Sequence, residues 1–311
     1  MLDLAAKTET VGSLAGAGVV TNSGNAVTFT VGSDNTNAVF TGVLTAATPA
    51  NLALTKTGDG VQSLSGISTY TGITTLTDAN GATGGRGGIS INNLGNGGVA
   101  GGIGAATNAA ANLVIDGGLL RYTGPTTTTD RAFTIGAGGA TIDASSTSGS
   151  LTFTGTPALA YTGTSARNLT LTGTSPAGSI NTFAKVITDA TGATSLTKDG
   201  SNTWALTGAN TYTGATAVNT GTLVLSSGSL GNTPISVASG ATLSLPVSYT
   251  AGTTGASTVG ASLLLNPGSN LAMSNNTVST FTLQQNSGFV GNAMTIGAAS
   301  GALVNMSFDI G

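Results

Sequence analysis

Residues 196–218 are LTKDGSNTWALTGANTYTGATAV, and residues 54–76, located 142 positions earlier, are LTKTGDGVQSLSGISTYTGITTL. The two segments align without a gap, and about half of their positions are identical. They share the opening Leu-Thr-Lys, a glycine two residues later, and the Thr-Tyr-Thr-Gly near the end. One repeat unit usually cannot bury its apolar face without a neighbour stacked on it. The sequence therefore predicts a stacked architecture.

The pattern also resembles a known repeat. The pattern begins with L-T-K-x-G, continues with an alternating apolar and polar run and with S/T-G-x-N/S-T-Y-T-G, and ends with a strand such as residues 218–223. This order is similar to the passenger-associated repeat of bacterial autotransporter proteins. Residues 10–18 resemble the segment that often precedes this motif, and residues 113–124 and 129–136 resemble the stretch that often links two copies. The resemblance implies a rigid, secreted or surface-displayed β-solenoid. Such motifs describe a backbone shape and specify no substrate.

The two copies differ at one expected core position. Trp204 and Leu206 lie two residues apart on a predicted strand, so both side chains point to the same side, which we predict to be the core. The first copy has Gln62 and Leu64 at these positions. A polar side chain there predicts either a bulged strand or a buried amide with satisfied hydrogen bonds.

The composition of the 311-residue chain is unusual for a globular protein. Only 6% of its residues are charged and 49 are glycine, whereas an average soluble protein has roughly 25% charged residues. Apolar residues make up 39%, and many of them alternate with polar ones. Disordered chains combine low hydrophobicity with high charge. The composition therefore indicates a folded chain of short strands and tight turns.

The missing residue types restrict the chemistry of the protein. The chain has no histidine and no cysteine, which removes the commonest general base, the thiol nucleophile and any disulfide. The eight basic residues are scattered singly and form no patch, so we expect no nucleic-acid binding. No apolar run is long enough for a transmembrane helix. The N-terminal residues lack the apolar core of a signal peptide, and we expect Met1 to be a start residue added to a fragment.

Short apolar segments recur along the chain, mostly 8–12 residues apart, and are bounded by Gly, Ser, Asn or Asp. A sandwich gives no reason for the long-range repeat, and a propeller blade would recur at roughly 40–50 residues. A β-solenoid accepts many coils of about 20 residues each. We therefore predict an all-β fold, a parallel β-helix of short strands with Gly-, Asn- and Thr-rich turns, continuous over residues 1–311.

Residues 80–104 depart from this regular pattern. They contain Gly-Gly-Arg-Gly-Gly and Gly-Asn-Gly-Gly, and residues 89–91 are the only convincing strand among them. Since a solenoid lets inserted loops leave from one face, we predict a glycine-rich lateral excursion here.

The remaining candidates for chemistry are carboxylates and basic residues. Some parallel β-helices are polysaccharide lyases that use Asp with Lys or Arg, and five residues of these types are close enough in sequence to share a face: Asp116, Arg121, Asp130, Arg131 and Asp143. Aspartate more often caps its own backbone in turns, so we predict no catalytic residue. Residues 138–143 approach the calcium-roll pattern G-G-x-G-x-D once, with a threonine at the third glycine. We therefore predict no metal or cofactor site.

Threonine pairs flanking one apolar residue recur at Thr28, Thr75, Thr152, Thr170 and Thr280. An ice-binding plane would need one such pair in every coil, but these pairs are irregularly spaced. We interpret them as β-branched residues on the solvent face of strands. Tyr70 and Tyr212 belong to the repeat motif, and we interpret them as turn-packing residues rather than adhesive ones.

The sequence thus predicts a structural scaffold segment of a secreted or surface-displayed bacterial repeat protein, not an enzyme. The alternative is an adhesin or glycan-binding module that uses residues 80–104 as its contact surface. Neither terminus has the cap that usually closes a solenoid. We therefore expect the chain to continue in a longer parent or to self-associate end to end into filaments.

Overall fold

The structure is a computed structural model. It describes residues 1–77, 87–225, 230, 233–245 and 262–273, together with the backbone of the strands at 249–251, 281–283, 294–296 and 305–308. The chain divides into two compact units, Met1–Gly163 (unit 1) and Thr164–Gly311 (unit 2). Within the described ranges there is no α-helix, and thus none with the length and apolarity that crossing a membrane requires.

Unit 1 consists of short strands in parallel sheets. The strands are β1 (Leu2–Asp3), β2 (Glu9–Val11), β3 (Val19–Thr21), β4 (Val27–Val31), β5 (Ala38–Phe40), β6 (Val43–Leu44), β7 (Leu52–Lys56), β8 (Val61–Leu64), β9 (Thr74–Thr77), β10 (Gly88–Ile91), β11 (Leu113–Asp116), β12 (Leu119–Tyr122), β13 (Thr127–Thr129), β14 (Thr134–Ile135), β15 (Ala140–Ala144), β16 (Leu151–Phe153) and β17 (Ala160–Tyr161). Single 3-10 turns occupy Pro49–Asn51 and Ala110–Asn112.

Strands that are neighbours in each sheet of unit 1 come from successive turns of the chain. One sheet has the order β2, β4, β7, β9, β11, β14, β17, and another has the order β5, β8, β10, β12, β15. Smaller sheets are formed by β1, β3 and β6 and by β13 and β16. The pairings are parallel. This arrangement of stacked parallel strands confirms the predicted all-β, solenoid-type fold.

Unit 2 follows the same plan. Its strands are β18 (Arg167–Thr172), β19 (Ile180–Phe183), β20 (Thr194–Lys198), β21 (Thr203–Leu206), β22 (Thr216–Val218), β23 (Thr222–Leu225), β24 (Ile235–Val237), β25 (Thr242–Ser244), β26 (Tyr249–Ala251), β27 (Leu263–Leu265), β28 (Asn270–Met273), β29 (Phe281–Leu283), β30 (Met294–Ile296) and β31 (Asn305–Phe308). One sheet has the order β18, β20, β22, β24, β27, β30, another β19, β21, β23, β25, β28, β31, and β26 pairs with β29.

The core forms because inward and outward residues alternate along each strand. In β4, for example, Val27, Phe29 and Val31 are buried while the threonines between them are partly exposed. The register of the parallel strands places apolar residues of neighbouring coils beside each other, so Phe29 lies beside Leu54 of β7. Each coil therefore covers the apolar side chains of its neighbour, as expected of a repeat that cannot fold alone.

Each repeat copy has a buried lysine that caps the following turn. Lys198 is fully buried, and its Nζ donates to the carbonyl oxygens of the next two residues at 2.7 and 2.8 Å and of Thr220 at 3.1 Å. Lys56, in the first copy, is 1% exposed and donates to the carbonyls of Thr57 and Gly58. The conserved spacing of Leu-Thr-Lys thus places an ammonium group inside the coil, where it satisfies carbonyls that the turn leaves unpaired.

The shared glycine after this lysine is required by the backbone. Gly58 and Gly200 have φ values of 72° and 71°, in the left-handed region that glycine enters without steric cost. A Cβ atom would overlap the carbonyl oxygen of Gly32 in the first case and of Gly173 in the second. Stacking of one coil on the next therefore selects glycine at this position in both copies.

The polar residues of the second half of the repeat hold neighbouring coils together. Ser68 accepts a hydrogen bond from the backbone N–H of Leu44 at 3.0 Å. Asn210, at the same position in the second copy, accepts one from the N–H of Ile187 at 2.8 Å. Both side chains are buried. The S/T-G-x-N/S element of the motif therefore supplies a backbone-capping acceptor.

Trp204 and Gln62 occupy the same position, and both predictions about them are confirmed. Trp204 is fully buried beside Leu206, which is 1% exposed. Gln62 is also 1% exposed, and its amide donates to the carbonyl of Leu14 at 2.8 Å and accepts from the N–H of Leu14 at 3.0 Å. Its strand keeps continuous register with β10. The first copy thus contains a satisfied buried amide in an unbulged strand.

Candidate functional site

Residues 92–109, here called the lateral segment, leave the regular coil of unit 1 after β10. β10 itself lies between β8 and β12, so the strand expected within the predicted excursion is part of the sheet. Residues 80–86 of that excursion lie outside the described residues. Three apolar residues of the lateral segment, Leu94, Ile103 and Ala106, are buried, each at most 3% exposed. Its exposed residues are Asn92, Asn93, Asn96, Gly98, Val99, Thr107 and Ala109.

Arg131 fixes the path of this segment. Its side chain is buried, with 4% of the residue exposed. Nε donates to the carbonyl of Gly95 and Nη1 to that of Ala106, both at 3.1 Å. Nη2 donates to the carbonyls of Val99 and Gly104, both at 2.9 Å. One guanidinium group therefore binds four backbone oxygens spread along the segment, and it is buried together with these partners as a buried charge requires.

Asp130, the residue before Arg131, joins residues 96 and 97 of the segment to Asn108 near its end. Its carboxylate accepts a hydrogen bond from the N–H of Gly97 at 2.7 Å and one from the side-chain amide of Asn108 at 2.8 Å. Its own N–H donates to the side chain of Asn96 at 3.0 Å. Charge-assisted bonds of this kind are stronger than neutral ones. Asp130 and Arg131 together thus hold the segment in one shape.

The return path of the segment packs on the turn of the first repeat. The N–H of Ala105 donates to the carbonyl of Tyr70 at 2.7 Å, and Ser68 forms an antiparallel bridge with Gly101. Gly104 has φ +74°, and a Cβ atom there would overlap the Tyr70 carbonyl oxygen. The repeat motif therefore also serves as the seat of the lateral segment.

The electrostatics of this cluster follow from burial. Desolvation lowers the pKa of Arg131, while Tyr70 and Asp130 act in the opposite direction. Burial also raises the pKa of Tyr70 above its ordinary range, opposed by its hydrogen bond to Thr74. Arginine remains protonated in proteins, so the guanidinium keeps all its donors at physiological pH. The cluster is a structural anchor, and its charges face inward.

The five residues considered for a lyase do not form one group. Arg121 and Asp143 face each other across β12 and β15 and form an ion pair at 2.7 Å, with Ser145 donating to the same carboxylate. Asp116 instead accepts a hydrogen bond from the N–H of Gly138 at 2.7 Å. Asp130 and Arg131 are engaged in the lateral segment. Arg121 and Asp143 thus form one pair, Asp130 and Arg131 act together in the lateral segment, and Asp116 contacts neither group in the hydrogen bonds described.

Residues 138–143 do not form a cluster of oxygen ligands. Asp143 pairs with Arg121, and in the part of the chain that the structure describes no three His, Cys, Asp or Glu side chains gather closely enough to hold a metal ion. The threonines of the pairs at Thr28, Thr75, Thr152 and Thr170 are partly exposed or at strand ends beside buried apolar residues. Thr280 lies outside the described residues.

One regular feature of the threonine face was missed by the sequence reasoning. Register aligns Thr10, Thr30, Thr55 and Thr75 on successive strands of one sheet. Thr30 and Thr75 belong to pairs that flank an apolar residue, whereas Thr55 is followed by Lys56, which is buried. Leu54 and Lys56 lie two residues apart on one strand, so their side chains point to the same side and Thr55 points to the other. This alternation was the sequence signal for the row of threonines.

Tyr70 and Tyr212 are fully buried, so their interpretation as turn-packing residues is confirmed. Tyr70 shares a hydrogen bond of 2.8 Å with the hydroxyl of Thr74, and Tyr212 shares one of 2.7 Å with Thr216. The same contact thus recurs in both copies of the repeat.

Tyr212→Phe is expected to lower the free energy of unfolding by about 1 kcal/mol, the usual net value of one hydrogen bond. The ring still fills its site, so the fold is retained. Urea unfolding followed by circular dichroism measures this change. An unchanged unfolding free energy would contradict a stabilising role for the tyrosine hydroxyl.

Comparison with known proteins identifies the class of this chain. Residues 54–81 and 196–225 match the family described as Passenger-associated-transport-repeat. A stretch of 143 residues, 45% of the chain, is 45% identical to the adhesin BmaC autotransporter of Brucella suis biovar 1 (strain 1330). It covers 4% of that relative's length. No solved structure matches the chain.

These matches confirm the resemblance stated from the motifs. The chain carries two passenger-associated-transport repeats and is similar over 45% of its length to a small part of an autotransporter. Both matched segments begin at the leucine of Leu-Thr-Lys, where the buried lysine and the stacked glycine begin each copy. The family pattern therefore corresponds to the contacts that stack one coil on the next.

Proposed function

We propose that this chain is an adhesive segment of a passenger that is secreted or displayed at the bacterial surface. The observation that carries the proposal is its 45% identity over 143 residues with a protein whose name describes an adhesin. The stacked coils provide a support, and the lateral segment is packed on that support and held in place by Arg131 and Asp130. Binding residues commonly lie on loops positioned by a rigid scaffold. We propose no catalytic role for the segment.

Adhesion of beads coated with the 311-residue chain tests this function. We expect such beads to be retained on cultured animal cells and on extracellular-matrix coats more strongly than beads coated with albumin. The chain must first give the circular dichroism spectrum of a folded β protein. Retention equal to that of albumin beads would contradict the adhesive function and would favour a purely structural spacer.

The spacer function is the second candidate, and the regular stacking favours it. A buried lysine, a left-handed glycine and a buried tyrosine recur in both copies and all act within the coil. In a spacer, the lateral segment would be dispensable for retention of whole cells that display the parent protein. Deleting coils of the solenoid would then reduce adhesion by shortening the reach of the parent.

We also propose that copies of this chain associate through strand edges. In unit 1, β1 and β2 are the outermost strands of their sheets. The unpaired N–H and C=O groups of such an edge are a template for another strand. Light scattering is expected to report a mass that rises with protein concentration. A constant monomeric mass across a wide concentration range would contradict this association.

A further inference from the structure

We propose that the outer surface of the lateral segment binds neutral glycans; the inference rests on the proposed adhesive function. The surface consists of Asn92, Asn93, Asn96 and Val99, all of which are exposed. It is fixed from behind by Arg131, which we assign as a positioning residue.

The first argument is preorganisation. A segment rich in glycine with three buried apolar side chains would otherwise sample many shapes. Here a buried guanidinium binds four of its carbonyl oxygens, and Asp130 binds both Gly97 and Asn108. Burying a charge for this purpose is costly even when the charge is paired. A surface ordered before binding avoids the entropy loss that a mobile loop would suffer on contact with a ligand.

The second argument is the chemistry of the exposed side chains. Asn92 and Asn93 make no side-chain hydrogen bond with any described residue. Each carboxamide offers two donors and an acceptor, which suits the adjacent hydroxyl groups of a sugar. Val99 is 53% exposed and offers an apolar contact for the C–H face of a sugar ring. The segment thus exposes two free carboxamides and one apolar side chain, the kinds of group that contact the hydroxyls and the C–H face of a sugar.

The third argument is charge. No ionisable side chain occurs from residue 87 to residue 115. The nearby charges of Asp130 and Arg131 are engaged by the segment itself. Sialylated or sulfated glycans, which are usually recognised by arginine or lysine, would find no free cation among residues 87–115. Protein interfaces favour exposed aromatic residues and arginine as anchors, and the segment exposes neither. Neutral glycans therefore fit best.

Binding of the full 311-residue chain to an immobilised glycan array tests the inference. The array carries neutral glycans ending in galactose, glucose, mannose or N-acetylglucosamine, together with sialylated and sulfated ones. We expect binding to neutral glycans, weakened on the order of tenfold by the double variant Asn93→Ala, Val99→Ser. Val39→Ser is the matched control, because Val39 is 58% exposed on β5. The control is expected to bind like the unaltered chain.

Arg131→Met tests the positioning role separately. Methionine removes the guanidinium donor from all four carbonyl oxygens, of which Gly95 keeps only the Thr129 hydroxyl and Ala106 only the N–H of Gly98. We therefore expect limited proteolysis to cut within residues 92–109 and glycan binding to fall. Trp204 lies in unit 2, and its fluorescence reports whether that unit stays folded. Arg131→Lys is expected to restore little of the resistance to proteolysis or of the glycan binding, because one ammonium group cannot reproduce the planar set of donors of the guanidinium group.

The outcomes separate the inference from the function on which it rests. If coated beads adhere to cells but the array gives no neutral-glycan signal, or if the double variant binds like the control, the inference is overturned and the adhesive function stands. Binding confined to acidic glycans also overturns it. If the beads do not adhere, the adhesive function itself is overturned, whatever the array reports.

Discussion

Trp204→Ala is expected to lower the free energy of unfolding by about 3–5 kcal/mol, the range for replacing a buried aromatic residue by alanine. The indole is fully buried, and its Nε1 donates to the carbonyl of Thr172 at 3.0 Å. The substitution leaves a cavity between stacked coils and removes one of the two donors to that carbonyl, which keeps the side-chain amide of Asn202 at 3.1 Å. Urea unfolding followed by far-ultraviolet circular dichroism measures the loss.

Ile180→Ala is the control for this experiment. Ile180 lies on the neighbouring strand β19 but is 51% exposed, so the change is expected to stay within about 0.5 kcal/mol. Trp204 is the only tryptophan of the chain, and its emission in the unaltered protein is expected to be blue-shifted and poorly quenched by acrylamide. A red-shifted, readily quenched emission would contradict burial of the indole.

The fold could be predicted because the repeat and the alternating pattern point to the same structure. Residues 54–76 and 196–218 form equivalent strands, β7 to β9 and β20 to β22, with the same lysine, glycine and tyrosine contacts. Local strand preference, turn chemistry and core packing agree at each of these positions, which is the property of a sequence that specifies one structure. The burial of Gln62 was predictable for the same reason, since its position is defined by Trp204 in the other copy.

The role of the buried cations could not be predicted from residue type. A lysine in an alternating strand ordinarily keeps its ammonium group in solvent. Lys56 and Lys198 instead point inward, as do the leucines two residues before them. The carbonyls that accept their hydrogen bonds belong to the following turn. The inward direction of the two lysine side chains could be predicted from the alternation along the strand, but the orientation of the turn carbonyls could not.

The candidate site was only partly predictable. Its glycine-rich composition marked the approximate place of the lateral segment. Arg131, however, lies 25 to 36 residues after the carbonyls that it binds, and no motif connects them. Such contacts depend on how one coil stacks on another, and the sequence alone does not define this arrangement for an irregular segment.

The stability of the protein is expected to rise by roughly 2 kcal/mol between about pH 7.5 and about pH 9.5 through Lys198. Burial lowers the pKa of this amine from 10.5 to about 8, with Asp199 acting in the opposite direction. Between these two pKa values the unfolded chain binds more protons than the folded one, so folding becomes more favourable as the pH increases. Below the folded pKa, both states are protonated and the cost of the buried charge is present in full. Urea unfolding at several pH values measures the slope.

Lys198→Met is expected to abolish this rise, because methionine fills similar space and does not titrate. Lys7→Met is the matched control, since Lys7 is exposed, and it should keep the slope of the unaltered chain. The series must end below pH 10, because burial raises the pKa of Tyr70 and Tyr212 and the unfolded chain then loses protons first. Equal slopes for the unaltered chain and Lys198→Met would contradict the assignment and would mean that the ammonium group is as well solvated by its three carbonyls as by water.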